Sequence, residues 1–458
     1  MRPDSPAVLD AEKRRQQAGG RVVRVNLAPR VSAIDIGSGA VSTWAYDGEL
    51  PGKEIRVTAG DRLRVELSNQ LPAPTTIHWH GLALRNDMDG AEVTQRPVDP
   101  GSTFTYDFIV PDGGTYWFHP HVGMQLDRGL YAPLIVEPRD EPGGYDHDWV
   151  IVLDDWLDGV STTPDDQLRK LQSGGMDHDM GGMSMEMPSS PLLGGDAGDV
   201  IYPYYLLNGR TARAPRVFTA KPGQKARIRL INAGADTAFR VALAGHRLTV
   251  THSDGFPVRP VPADALLIGM GERYDLVVTL GDGVFPLYAQ AEGKKGQAMA
   301  LVRTGAGQAP DATVRVPELN RRVLQVGDLD AASEVFLADK TPDTTHTLAL
   351  GGDMKSYRWT INGRLYDPEE TLPVRQGERV RLRFTNGTTM FHPMHLHGHT
   401  FQVRWANGRG PRKDTIIVKP KETITADFVA DNPGQWMIHC HNAYHQGSGM
   451  MTTLSYMG

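Results

Sequence analysis

The chain has a single cysteine, no long apolar run and no excess of basic charge. Cys440, alone among 458 residues, excludes an internal disulfide framework and leaves the redox compartment unspecified. No stretch approaches the roughly 18 consecutive apolar residues that cross a membrane. Asp and Glu outnumber Lys and Arg by 54 to 48, a formal charge of −6, whereas a nucleic-acid binder needs a basic face. Near the N-terminus Arg14-Arg15 is followed by polar Gln16 and Gln17, so no signal peptide is read there. A cytoplasmic protein and a mature form without its leader both fit. Residues 1–20 are polar and expected to be flexible.

Glycine and proline are abundant instead, at 50 and 32 residues, with 40% apolar content. That composition predicts an all-β, turn-rich protein, and the length predicts about three domains. An internal repeat supports both. Val57-Thr-Ala-Gly60-Asp-Arg-Leu-Arg-Val-Glu-Leu-Ser-Asn69 recurs as Ala220-Lys-Pro-Gly223-Gln-Lys-Ala-Arg-Ile-Arg-Leu-Ile-Asn232 and as Val374-Arg-Gln-Gly377-Glu-Arg-Val-Arg-Leu-Arg-Phe-Thr-Asn386. Each is a glycine turn opening a strand of alternating apolar and charged residues. Each follows a turn pair: Asp47-Gly48, Asn208-Gly209 or Asn362-Gly363. The three glycines stand 163 and then 154 residues apart. Three β-sandwich or barrel units are therefore expected, over residues 21–140, 141–310 and 311–458.

Ten of the sixteen histidines fall in short clusters: His78-Trp-His80, His119-Pro-His121, His392-Pro-Met-His395-Leu-His397 and His439-Cys440-His441 with His445. The repeats place them. Nine residues after Asn69 comes His78, then His80; nine after Asn386 comes His395, then His397; nine after Asn232 comes Val241. Tyr106-Asp-Phe-Ile-Val leads to His119 and His121, and Ala426-Asp-Phe-Val-Ala leads to His439 and His441. Allowing two extra residues, the matching run Tyr274-Asp-Leu-Val-Val leads to Ala289 and Ala291. Eight histidines at equivalent places in the first and third units would face one another and hold a metal cluster, with the second unit as spacer or wall.

Histidine alone does not choose the metal. The run from His439 to Met450 does, because thiolate, imidazole and thioether are the ligands of a blue-copper centre. Side chains alternate along a strand, so His439 and His441 point opposite to Cys440 and reach different ions. His392, Cys440, His445 and Met450 form the expected mononuclear set. His147, His178, His246, His252, His346 and His399 stand outside the clusters and are set aside, with packing the reading for His399.

With these motifs in this order, the chain resembles the multicopper oxidases, in particular three-domain bacterial laccases. The signatures HxHG, HxH, HPxHxH and HCHxxxHxxxxM stand here as His78–Gly81, His119–His121, His392–His397 and His439–Met450. The resemblance runs from about residue 21 to the end and implies three cupredoxin-like Greek-key domains. It implies four copper ions: one type 1 held by His392, Cys440 and His445 with Met450 as weak axial ligand, and one type 2 held by His78 and His395. Two type 3 ions follow, one held by His80, His119 and His441 and the other by His121, His397 and His439. Electrons from a reducing substrate would pass one at a time through Cys440 to His439 and His441, and O2 would be reduced to water. The implied substrates are phenols and aromatic amines, or Cu(I) in a metal oxidase of copper tolerance. Neither a nucleic acid nor a membrane span belongs to this scheme, and a monomer is compatible with it.

Asp89, nine residues after His80, stands where the family places an acid near the type 2 copper, and a turn-forming Asp before Gly90 is the plainer reading. Similar bacterial enzymes often carry Glu directly after the last type 1 histidine. Here it is Gln446, which cannot relay a proton as an acid. Met176-Asp-His-Asp-Met180-Gly-Gly-Met183-Ser-Met185-Glu-Met187 holds five methionines and reads either as a soft-ligand patch for Cu(I) or as a loop insertion. Export from the cytoplasm is expected from the resemblance.

Overall fold

The computed structural model describes residues 4–15, 20–140, 143–174 and 188–457. The methionine-rich run 176–187 lies outside the described residues. β-Sheets make up the body of the molecule, as composition and repeats predict. Strands between Val22 and Glu137 form a three-stranded and a four-stranded sheet, which we call the first sandwich, and a separate two-stranded sheet of Pro29–Asp35 and Ala40–Tyr46. Those between His147 and Leu324 form a seven- and a six-stranded sheet with a small two-stranded one, and those between Thr344 and Tyr456 a six- and a five-stranded sheet. These are the second and third sandwiches. Among the described residues, no helix is long and apolar enough to cross a membrane.

The repeated motif folds as its pattern dictates. In strand Arg62–Ser68, Leu63, Val65 and Leu67 are fully buried while Arg62, Arg64 and Glu66 face solvent. The glycines that open the three copies, Gly60, Gly223 and Gly377, have φ of 86°, 82° and 85°. Both residues of each preceding turn pair also have positive φ, as a two-residue hairpin turn demands.

Strand pairing turns the counted equivalence into register. His78 lies opposite His119 in the first sandwich, His395 opposite His439 in the third, and Val241 opposite Ala289 in the second. The same pair of positions thus carries imidazoles twice and apolar side chains once. Cys440 ends strand Gln435–Cys440, opposite Met394. The short helix Ala443–Gly447 follows, capped by the Asn442 side chain, which accepts from the Tyr444 and His445 amides at 3.0 and 3.2 Å.

One difference from expectation lies at the N-terminus, where residues Pro6–Arg15 form a helix rather than a flexible segment. Val8 and Ala11, three apart and so on one face, are buried, and Arg15 Nη2 donates to Asn432 Oδ1 at 2.5 Å. Two small apolar residues among charged ones make too weak a stripe to read from sequence.

Gly90 fixes the turn that carries Asp89 beneath His78. Its φ is +77°, and a Cβ there would lie 1.8 Å from the Ile77 carbonyl oxygen. Gly90→Ala is expected to destabilise the protein by at least about 1 kcal/mol, read as a lower denaturant midpoint with unchanged slope. An unchanged midpoint contradicts this packing.

Candidate copper centres

All eight cluster histidines are buried where the first and third sandwiches meet. Their rings pair across the interface with approximate twofold symmetry. His78 stacks on His397 and His80 on His395, each pair with centroids 3.8 Å apart. His439 Nε2 stands 3.4 Å from His121 Nε2 and 3.0 Å from His397 Nε2. His441 lies beside His80 and His119, with centroids 4.9 and 5.4 Å away.

Outward-facing nitrogens have acceptors. His78 Nδ1 donates to the Asp89 carbonyl at 2.9 Å, His119 Nδ1 to the Pro120 carbonyl at 2.9 Å and His439 Nδ1 to the Cys440 carbonyl at 3.0 Å. His395 Nδ1 donates to the Asp414 carbonyl at 3.0 Å, and His397 Nδ1 to Asp89 Oδ2 at 2.8 Å. Six other ring nitrogens do not. His78 Nε2, His80 Nδ1, His119 Nε2, His395 Nε2 and both nitrogens of His441 are buried without a hydrogen-bond partner among the described residues. Because His397 and His439 spend their protons outward, lone pairs converge at the centre, which is the arrangement a cation requires. Burial holds His80, His119, His121, His397, His439 and His441 well below the usual imidazole range, so they are neutral and offer lone pairs to a cation.

On the other face of the strand, Cys440 Sγ lies 3.6 Å from both His392 Nδ1 and His445 Nδ1, which are 3.1 Å from each other. The thiol is fully buried. Met450 is buried too, and its carbonyl accepts from the Cys440 amide at 3.1 Å. His392 Nε2 meets Thr388 Oγ1 at 2.8 Å, and His445 Nε2 meets Asp199 Oδ2 at 2.9 Å. Burial would lower the His445 pKa, but its hydrogen bond to Asp199 and that carboxylate's charge outweigh burial and push it up to about 10. The Trp359 ring packs on His445, with centroids 4.1 Å apart.

Several of these neighbours have no signature in the sequence. Asp199 reaches His445 across 246 residues, and Tyr357 donates to the same carboxylate oxygen at 2.5 Å. Asp414 Oδ1 sits 3.1 Å from His80 Nε2 and 3.4 Å from His395 Nδ1. Trp117 packs on His80, His119 and His441. Asp89 is not a bare turn residue, since its carboxylate and carbonyl hold His397 and His78. Gln446 Nε2 stands 3.5 Å from His121 Nε2, an amide where an acid was in question. His399 stacks on Tyr456 and bonds its hydroxyl at 2.7 Å, while its Nδ1 donates to the His397 carbonyl at 3.2 Å.

Three multicopper oxidase family models match the chain, over residues 31–141, 147–307 and 339–457. The chain belongs to the multicopper oxidase family. It is 52% identical to the multicopper oxidase MmcO of Mycobacterium tuberculosis, over 98% of this chain and 90% of that one. It is 26% identical to a copper resistance protein A homolog of Pseudomonas syringae pv. tomato, over 91% and 89% of the two chains. Among solved structures it is similar to the laccase from Botrytis aclada, with a TM-score of 0.77 and 26% identity over 95% of this chain and 88% of that one. As a multicopper oxidase the chain is an oxidoreductase that uses O2 and copper centres of types 1, 2 and 3, and its three sandwiches are cupredoxin-like.

Neutral buried histidines make the copper-free multicopper oxidase sensitive to acid. Unfolded imidazoles protonate near pH 6.5 while the folded ones resist, so the unfolded chain binds more protons as pH falls. Stability is therefore fully present above about pH 6.5 and lost below it, by up to about 1.4 kcal/mol per histidine per pH unit. Melting of chelator-stripped protein checks this: the midpoint is expected to fall as pH drops below about 6.5, and a flat midpoint contradicts neutral imidazoles.

Proposed function

We propose that the protein is a laccase-like oxidase of phenols and aromatic amines, with the copper ligands divided as the family resemblance implies. His392, Cys440, His445 and Met450 would hold the type 1 ion, and His78 and His395 the type 2 ion. His80, His119 and His441 would hold one type 3 ion, and His121, His397 and His439 the other. The domains would span 21–140, 141–310 and 311–458, after the N-terminal segment 1–20, with strand Val323–Leu324 reaching back from the third to pair in the second sandwich. Bound there, copper supplies one-electron oxidation of the donor and four-electron reduction of O2 to water.

The chain's own groups do the rest. Cys440 is joined through one peptide bond on each side to His439 and His441, so a short covalent path links the two centres. Asp89 orients His78 and His397 and is the acid placed to carry protons to the cluster. The observation that carries the phenol reading is Asp199. Its Oδ2 holds the His445 edge, and its buried Oδ1 has no hydrogen-bond partner among the described residues. That oxygen is a ready acceptor for the proton a phenol or aniline loses with its electron.

A second reading, oxidation of Cu(I) in copper tolerance, is favoured by the five methionines of residues 176–187 and by the likeness to a copper resistance protein. Action outside the cytoplasm belongs to both readings and is tested by fractionation of the native host.

Cys440→Ser is expected to give soluble protein without blue colour or phenol turnover; an active colourless variant contradicts the assignment. Deleting residues 176–187 separates the substrates when kcat/KM is measured for Cu(I) and a dimethoxyphenol side by side. Under the phenol reading, phenol turnover persists or rises and Cu(I) turnover is unaffected. Loss of the Cu(I) rate alone transfers the role to copper tolerance.

A further inference from the structure

The first and third sandwiches supply every histidine of the cluster, yet the second also reaches it. Between its strands Ala265–Ile268 and Arg273–Thr279, the turn presses Gly271 against the imidazoles. A Cβ at Gly271 would lie 2.8 Å from His441 Cδ2 and 3.1 Å from His80 Cε1. Arg273 follows, fully buried. Its Nη1 and Nη2 donate to Asp414 Oδ1 and Oδ2 at 2.7 and 2.6 Å, and its Nε donates to the Thr115 carbonyl at 3.1 Å. Thr115 lies on strand Gly114–His119, so one guanidinium touches all three sandwiches.

A charged network stands behind it. Lys413 Nζ is 3.1 Å from both Asp254 Oδ2 and Glu272 Oε1, and Asp254 Oδ1 accepts from the Arg273 amide at 2.9 Å. Apolar side chains of similar volume hold two surfaces together as well as buried charges do, so cohesion alone does not account for the network. A two-pronged guanidinium does what apolar packing cannot: it fixes the plane of a carboxylate. The fixed oxygen, Asp414 Oδ1, also accepts from Thr415 Oγ1 at 2.9 Å and faces His80 Nε2. With its Nε2 proton directed there, His80 turns its partnerless Nδ1 into the cluster. The space is reserved for this contact, since a Cβ at Gly81, whose φ is +90°, would lie 2.4 Å from Arg273 Nη2 and 2.7 Å from Asp414 Oδ2.

We propose that Arg273 is a positioning residue of the trinuclear centre: by clamping Asp414 it fixes the ring orientation and tautomer of His80, and through His395 the type 2 end. This rests on the ligand division proposed above. The second sandwich is then a working wall of the reaction centre.

The test uses copper-loaded wild-type, Arg273→Lys, Arg273→Met and Asp414→Asn proteins, comparing copper per chain, retention against a chelator, the type 2 EPR signal, blue absorption and melting midpoint. All variants are expected to keep the blue absorption. They lose trinuclear copper about 10- to 100-fold more readily, with an altered type 2 signal and a fall in kcat rather than a rise in KM for the donor. Arg273→Lys, which keeps charge without the fork, falls between wild type and Arg273→Met. Wild-type retention and an unchanged type 2 signal in folded variants overturn the proposal, as does a lowered melting midpoint with both unchanged. If Arg273→Met does not fold, the Lys and Asn variants decide by the same readings. A wild-type chain that takes up only blue copper overturns the ligand division beneath the inference, and the inference with it.

Discussion

The structure depends on neutral imidazoles being held with their lone pairs converging and their protons turned away. Left in water, such rings would rotate, exchange tautomers and protonate. Here the outward nitrogens of five rings are tied to something the fold supplies, a backbone carbonyl behind His78, His119, His395 or His439, or a carboxylate behind His397. Burial then disfavours protonation of His80, His119, His121, His397, His439 and His441. Six other ring nitrogens are buried without partners among the described residues, a costly arrangement for a bare protein and a prepared one for cations.

That constraint explains why the motif is doubled. A single sandwich presents histidines from two neighbouring strands on one face, as His78 and His119 do, and cannot surround an ion with them. Two copies facing each other can, and the crossed stacking of His78 on His397 and His80 on His395 shows that the faces meet with near twofold symmetry. The second sandwich keeps the same register with Val241 opposite Ala289, so it packs where the others bind. Pleating separates the two kinds of centre. In one strand His439 turns toward the cluster and Cys440 toward His392 and His445.

Much of this was legible in the sequence, for a physical reason. Candidate metal ligands are particular residue types crowded within a few positions of one another, so His78–His80, His119–His121, His392–His397 and His439–His445 announce themselves, and the repeated glycine turns give the all-β fold. The residues that orient the ligands obey no such local rule. Arg273 and Asp414 stand 141 positions apart, and Asp199 and His445 stand 246 apart. Each looks like an ordinary surface charge until the fold buries it. The N-terminal helix was missed because its buried face amounts to Val8 and Ala11.

Gly81 shows how a local motif can encode a distant contact. The glycine after His-Trp-His belongs, in sequence, to the first sandwich, yet the volume its missing side chain leaves is filled by a guanidinium from the second and a carboxylate from the third. The three positions therefore form a single unit of inheritance. A chimera that exchanges whole domains between this chain and a relative must carry compatible residues at all three seams, and crossover points chosen by domain boundary alone would split a contact that no alignment of the individual domains displays.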